Sequence, residues 1–144
     1  MAAVIKSNHG QFNWPIRVYY EDTDAGGVVY HSNYLNFMER ARTEWLRALG
    51  FEQPTLRDEM GVLIVVHSLS IAFKRPALFN DMLEINCEVV NIGRSSLEIA
   101  QTIMRENTVL IIAHVKVAFV KAEGFRPVAI PVVIATALKI FNKD

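Results

Sequence analysis

The chain has 144 residues, 51% of them apolar, and its fifteen basic side chains balance fifteen acidic ones. That size suits one domain, residues 1–144, with a real core, and a zero net charge removes the electrostatic footprint that marks nucleic-acid and anionic-membrane binders. Cys87 is the only cysteine, so an intrachain disulfide and a cysteine metal site are both excluded.

In chain order, Met1 to Trp14 has no continuous apolar stretch of the signal-peptide type, and the longest apolar run, Val109 to Val120, is interrupted by His114 and Lys116. Neither reads as a membrane segment, and the reducing cytoplasm is the expected compartment. His9 falls in this opening stretch, where chain ends are commonly loose. From 14 to 24, Trp14, Ile16, Val18 and Tyr20 alternate with Arg17, Tyr19 and Glu21, the pattern of a half-buried strand. Carried forward, the same phase turns Asp22 and Asp24 toward the core side, an unusual address for carboxylates.

Asn33 to Leu49 changes to helical period, with Tyr34, Met38, Ala41, Trp45 and Leu49 on one stripe and Phe37 and Ala48 beside it. Ser32 or Asn33 is placed to cap its start and Gly50 lies just past its end. At 1.5 Å per residue the helix is about 25 Å long, enough to cross a small sheet. Four strands follow. Val65, His67, Leu69, Ile71 and Phe73 alternate until Pro76 and Asn80-Asp81 break the run; Leu83, Ile85, Cys87 and Val89 alternate against Glu84, Asn86 and Glu88. Gly93 turns the chain into a strand through Leu97, Ile99 and Ile103, and the last long strand spans roughly Thr108 to Lys121. That strand is apolar on both faces near Leu110, Ile111 and Ile112, which makes it central or places its outer face against another subunit. A short extended piece ends at Pro131, which suits the first turn of a helix over Val132 to Phe141. Short turns imply an antiparallel sheet of about five strands, and the long helix must bury its stripe against it. The fold class is therefore α+β, one long helix wrapped by a sheet.

The chemistry concentrates between the first strand and the helix, in the segment "YYEDTDAGGVVYHSNYL" (19–35). An Asp-x-Asp pair at a strand end is commonly a turn, because aspartate bonds its own backbone nearby. Gly26-Gly27 matches no phosphate-binding fingerprint but lets backbone approach a ligand closely. His67 and His114 lie in strands and read as structural, and His31 on its own reads as a loop histidine. Together, an inward acid, a glycine pair and a helix N-terminus supply a general base or nucleophile beside free N–H groups able to hold an oxyanion, which suits acyl transfer to water. The chain has no serine nucleophile elbow and no zinc-protease histidine pair, so no metal and no cofactor is expected.

The segment "RVYYEDTDAGGVVYHSNYLNFMERARTEWLRALGF", residues 17–51, closely resembles the signature of the hotdog-fold acyl-CoA thioesterases, in the branch associated with the Tol–Pal cell-envelope system. The hydroxybenzoyl-CoA thioesterases look like more distant relatives, and the later stretches "KRPALFNDMLEI" and "GRSSL" are also family-like. The resemblance implies a thioester hydrolase acting on acyl-CoA, or on an acyl chain carried by acyl carrier protein, and assembling as a homodimer or homotetramer. It maps the catalytic carboxylate onto Asp24, with Asp22 supporting the loop, and gives catalytic parts to His31 and Tyr20; the amide at position 31 would polarise the thioester carbonyl. Lys74, Arg75 and Arg94, at strand ends, carry charge that the coenzyme's phosphates would need, but exposed strand-end basic residues are usually simply solvated and none is assigned to a site. A hydroxyacyl dehydratase on the same fold and a non-catalytic scaffold in envelope lipid metabolism are the other readings.

Overall fold

The computed structural model describes residues 10–141, so His9 lies outside it. Along the chain come β1 (Phe12–Arg17), α1 (Asn33–Ala48), α2 (Gln53–Thr55), β2 (Val62–Phe73), β3 (Met82–Ile92), β4 (Ser96–Arg105), β5 (Thr108–Lys121) and α3 (Val132–Leu138). The strands make one sheet in the order β1-β3-β4-β5-β2, antiparallel throughout. The expected α+β arrangement is thus observed, with β5 held between β4 and β2.

The sheet order carries a consequence for function. β2 and β3 are consecutive in the chain but lie three strand spacings apart, about 14 Å. Their connection, residues 74–81, must therefore cross the end of the sheet. It does so past the N-terminus of α1, where the Ala77 N–H donates to the Tyr34 hydroxyl at 3.0 Å and the Ala77 carbonyl accepts the Val29 N–H at 2.9 Å. Arg105 anchors the same loop through the Asp81 carboxylate at 2.7 Å.

Helix α1 lays Tyr34, Phe37, Met38, Ala41 and Trp45 on the sheet, the stripe expected from the 3.6-residue period. It ends where Gly50 adopts φ +96°, with the Gly50 N–H on Arg47 O and the Phe51 N–H on Leu46 O, the paired bonds of a glycine-terminated helix. Facing α1, Phe12, Cys87, Gln101, Ala113 and Ile71 stand in register across all five strands. Burial pushes the Cys87 thiol up to about 12, which keeps it unreactive. Gln101 is fully buried and polar in an otherwise apolar row. Its Nε2 donates to Met38 O at 3.1 Å and to Cys87 Sγ at 3.2 Å, and its Oε1 accepts from Arg42 Nη1 at 2.9 Å. A single amide thereby ties the helix backbone to the sheet.

Two local departures from simple alternation matter. The register of β2 slips between Val66 and Ser68, so the alternation expected through Val65 and His67 is interrupted there. His67 is exposed at the slip, and Val66 and Ile64, rather than Val65, continue the helix-facing side begun by Phe73, Ile71 and Leu69. Strand β1 ends at Arg17, well short of residue 24, and Tyr20–Asp22 forms a 3-10 turn.

Trp45 is sandwiched between Phe12, stacked at 6.4 Å, and Phe141, edge-on at 5.4 Å, while its Nε1 has no hydrogen-bond partner among the described residues. Trp45→Ala should cost about 3–5 kcal/mol in urea unfolding. Trp45→Phe should cost less than half as much, because the indole N–H contributes no bond; equal costs for the two would contradict this packing.

Candidate active site

The polypeptide between β1 and α1 is held by Asp22. Its side chain is 6% exposed; Oδ2 accepts the Tyr19 N–H at 2.8 Å, Oδ1 accepts Asn33 Nδ2 at 2.6 Å, and its carbonyl accepts the Tyr30 N–H at 2.9 Å. Beyond it Thr23 pairs with Val29, the Asp24 N–H donates to Val28 O, and the Gly27 N–H returns to Asp24 O at 3.0 Å. Asp24 thus sits at the head of a tight reversal, its Oδ1 accepting the Gly26 N–H at 2.8 Å. Of the glycine pair, Gly27 is the one the backbone requires. A Cβ on Gly26 would stand 3.3 Å from Asp24 Oδ1, and Gly27 has φ +82°, where other residues are strained.

The inward phase expected for this segment is corrected. Asp22 is buried, but Asp24 and Tyr20 are exposed in the protomer, Tyr20 by 74%. The cause is the 3-10 turn after Arg17: it bends the backbone away from the extended phase, and only Asp22 keeps the core side. Tyr20 instead stacks flat on Phe79 with ring centroids 3.8 Å apart.

Helix α1 begins without a side-chain cap. Ser32 is the N-cap residue but makes no capping bond, Asn33 donates Nδ2 to Asp22 and accepts Asn36 Nδ2 on its Oδ1 at 2.7 Å, and the first turn holds no acid. Neither residue expected to cap the helix does so. The Asn33 N–H bonds Tyr30 O and the Leu35 N–H bonds Ser32 O, while among the described residues the N–H groups of His31, Ser32 and Tyr34 have no recorded acceptor. The positive end of the helix is therefore free to meet a negative oxygen. It opens on a hollow of about 250 Å³ lined by Val29, His31, Tyr34, Phe73, Lys74, Arg75 and Pro76. His31 is exposed beside Tyr30, at 4.6 Å between ring centroids.

Tyr34 was missed as a site residue because its helical phase reads simply as core. Its ring is buried, yet its hydroxyl holds the crossing loop and lines the hollow. Burial raises the pKa of that hydroxyl, the Ala77 amide and Arg105 oppose the rise, and the charges of Asp24 and Asp81 add to it. The Asp24 carboxylate does not itself line the hollow. No cluster of three or more histidine, cysteine or acidic side chains suited to a metal occurs among the described residues.

A five-stranded antiparallel sheet wrapped on one long helix is the hotdog fold. The chain belongs to the thioesterase superfamily: the model of that family matches residues 26–112, more than half of the 144 residues. It is 48% identical over 120 residues to the acyl-CoA thioesterase YbgC of Haemophilus influenzae, covering 83% of this chain and 88% of that one. It is 46% identical over 129 residues to the acyl-CoA thioester hydrolase YbgC of Escherichia coli, covering 89% and 96%. Among solved structures, a probable thioesterase from Bartonella henselae superposes with a TM-score of 0.81 at 34% identity, covering 84% of this chain and 99% of that one. A hypothetical protein from Aquifex aeolicus superposes with a TM-score of 0.83 at 31% identity, covering 88% and 98%.

The two acids should separate cleanly in stability. Asp22→Ala strands the Tyr19 N–H and the Asn33 amide and should cost about 3 kcal/mol in chemical denaturation, whereas Asp24→Ala gives up one exposed turn bond and should cost under about 1 kcal/mol. The reverse order would contradict the assignment of Asp22 as the residue that holds the loop.

Proposed function

We propose that this chain hydrolyses acyl-CoA thioesters to the free acid and the thiol, with Asp24 as the reacting carboxylate, and that it works as a homodimer or homotetramer. The observation that carries the reading is the uncapped tip of α1 opening on the hollow beside His31. The thioester carbonyl oxygen would lie against the amides of His31, Ser32 and Tyr34, where helix polarity favours the charge that develops as the carbonyl carbon turns tetrahedral. Asp24 then either takes a proton from the attacking water or itself attacks the carbonyl carbon, forming a mixed anhydride that water opens. In both routes the carbon–sulfur bond breaks and its electron pair leaves with sulfur. A thiol of pKa about 8.5 departs as thiolate with little acid assistance, so the site needs no strong proton donor. His31 and Tyr20 position water, substrate or the Asp24 carboxylate.

The rim of the hollow carries Lys74 and Arg75, neither of them in an ion pair among the described residues, and both suit the phosphates of coenzyme A. Acyl carrier protein, whose prosthetic arm ends in the same thioester, is the other acyl donor of matching chemistry. A second copy of the chain fits the free edge of the sheet. β2 is twelve residues long, and its Val66, Leu69 and Phe73 are exposed, Phe73 by 52%; an unpaired apolar edge of that length is normally covered. Such a copy would bring walls to the exposed Asp24 that the protomer does not provide. The single domain over residues 1–144, the cytoplasm and the Tol–Pal setting follow from composition and from the resemblance of residues 17–51. No helix among the described residues is long and apolar enough to cross a membrane.

Thiol release from a panel of acyl-CoAs tests the reading. Asp24→Asn should lower kcat/KM by at least about 100-fold, with the unfolding midpoint close to that of the parent. His31→Ala should lose less, because the backbone amide remains. Full activity in Asp24→Asn would remove that carboxylate from the mechanism, a native mass of one chain would remove the oligomer, and loss of activity on chelation with recovery on adding a divalent ion would overturn the metal-free reading.

A further inference from the structure

Three hollows follow one another along the flank of α1 that faces β2. The first is the hollow at the helix tip, between Tyr34 and Phe73. The second, about 270 Å³, lies between Leu35 and Met38 on the helix and Leu69 and Val66 on the strand. The third, about 120 Å³, is lined by apolar side chains that include Trp45, Leu46 and Ile64, with Glu39, Thr43 and Gln53 at its polar side. Helix and strand run in opposite directions, so the series begins at the end of β2 and continues toward its start. The slip in β2 keeps an apolar face turned to the helix over this whole length, through Phe73, Leu69, Val66 and Ile64.

Glu39, Arg42 and Val66 line both the second hollow and the third, and so stand where the two are divided. The Arg42 guanidinium is fixed there by its bond to Gln101 Oε1 at 2.9 Å, and Gln101 is fixed in turn by the Met38 carbonyl. Burial lowers the pKa of Arg42, and no carboxylate lies within ion-pair distance of it among the described residues. It is a partly desolvated cation whose hydrogen-bond acceptor is the neutral Gln101 amide, with the Glu39 carboxylate acting on it from beyond ion-pair distance.

We propose that the acyl chain of the substrate runs from the helix tip along this groove, and that Arg42, held by Gln101, sets the chain length the enzyme accepts. The inference rests on the thioesterase reading of the tip and adds the residue that discriminates among its substrates. From Ser32 to Arg42 the helix rises about 15 Å, roughly the reach of a dozen carbon–carbon bonds of about 1.5 Å in zigzag. A shorter acyl group ends against Leu35, Met38 and Leu69. A longer one must push its methyl end against the guanidinium and strip away water that the apolar wall cannot replace. The space beyond is therefore guarded by a charge.

The test is the dependence of kcat/KM on acyl length, measured by thiol release with saturated acyl-CoAs from butanoyl to hexadecanoyl. The parent should lose activity once the chain reaches Arg42. Arg42→Ala should raise the ratio of hexadecanoyl to hexanoyl activity at least tenfold, an effect of the size that apolar pockets produce for small changes in fit. Val66→Trp, which narrows the same passage from an exposed strand position, should move the fall-off to shorter chains. An unchanged length profile in Arg42→Ala, or a uniform loss at every length, would overturn the proposal. If thermal unfolding shows that Arg42→Ala does not fold, Val66→Trp decides: a shift toward shorter chains supports the groove and an unshifted profile rejects it. Absence of thiol release from every acyl-CoA in the parent would instead defeat the thioesterase reading itself.

Discussion

The Asp22 carboxylate, withdrawn from water, joins the two ends of the segment that carries the chemistry: it accepts the Tyr19 amide on the strand side and the Asn33 side chain on the helix side. An asparagine at the start of a helix ordinarily serves the helix, bonding its free amides and contributing about 1 kcal/mol. Here both ends of that amide are used elsewhere, Nδ2 on Asp22 and Oδ1 accepting the Asn36 side chain, and the helix is left uncapped. The local cost is a less stable helix start. The return is a set of free amides at the helix tip and a loop that carries the Asp24 carboxylate at its head. One buried ionic group thereby separates two roles that two aspartates one residue apart would otherwise compete for.

The crossing loop supplies the second constraint. Because β2 and β3 lie on different sides of the β4–β5 pair, their connection must pass an end of the sheet, and the end it passes is the one where α1 starts. Ala77 uses both of its backbone groups there, one on Val29 and one on Tyr34. The wall of the hollow is therefore built by topology before any functional residue is considered, and Lys74 and Arg75 are carried to its rim as part of the same passage. The groove along α1 has a similar origin: one slipped residue in β2 keeps the strand's apolar side on the helix, and Gln101 in the facing sheet fixes the arginine that divides the groove.

Periodicity made the long elements legible. The bounds of β5 and the buried stripe of α1 follow from alternation and from the 3.6-residue repeat, since both elements bury one continuous face. Elements governed by specific hydrogen bonds did not show in the same way. The turn at Tyr20–Asp22 is closed by the Asp22 N–H on Tyr19 O, the Thr23 N–H on Tyr20 O and the Tyr19 N–H on Asp22 Oδ2, bonds that alternation does not display, so the strand phase reads on to residue 24 and puts Asp24 and Tyr20 on the wrong side. The short helical segment from Gln53 to Met60 escaped because it has too few turns to display a period. Gln101 holds an inward position between Ile99 and Ile103, where alternation identifies the address but not the partners that make a buried amide tolerable. The family resemblance of residues 17–51 concentrated attention on the loop with the two acids, while Tyr34, inside that same signature, was hidden by its apolar phase.

The dependence of the site on the stitch between Asp22 and Asn33 can be read directly from a double-mutant cycle in thiol-release kcat/KM, using Asp22→Ala, Asn33→Ala and the pair at a temperature where all three remain folded. If the two side chains act as one unit, each single variant loses activity and the double variant loses little more than the worse of the two. Losses that simply multiply, or single variants that keep the parent's rate, would mean that the carboxylate and the helix tip are set independently.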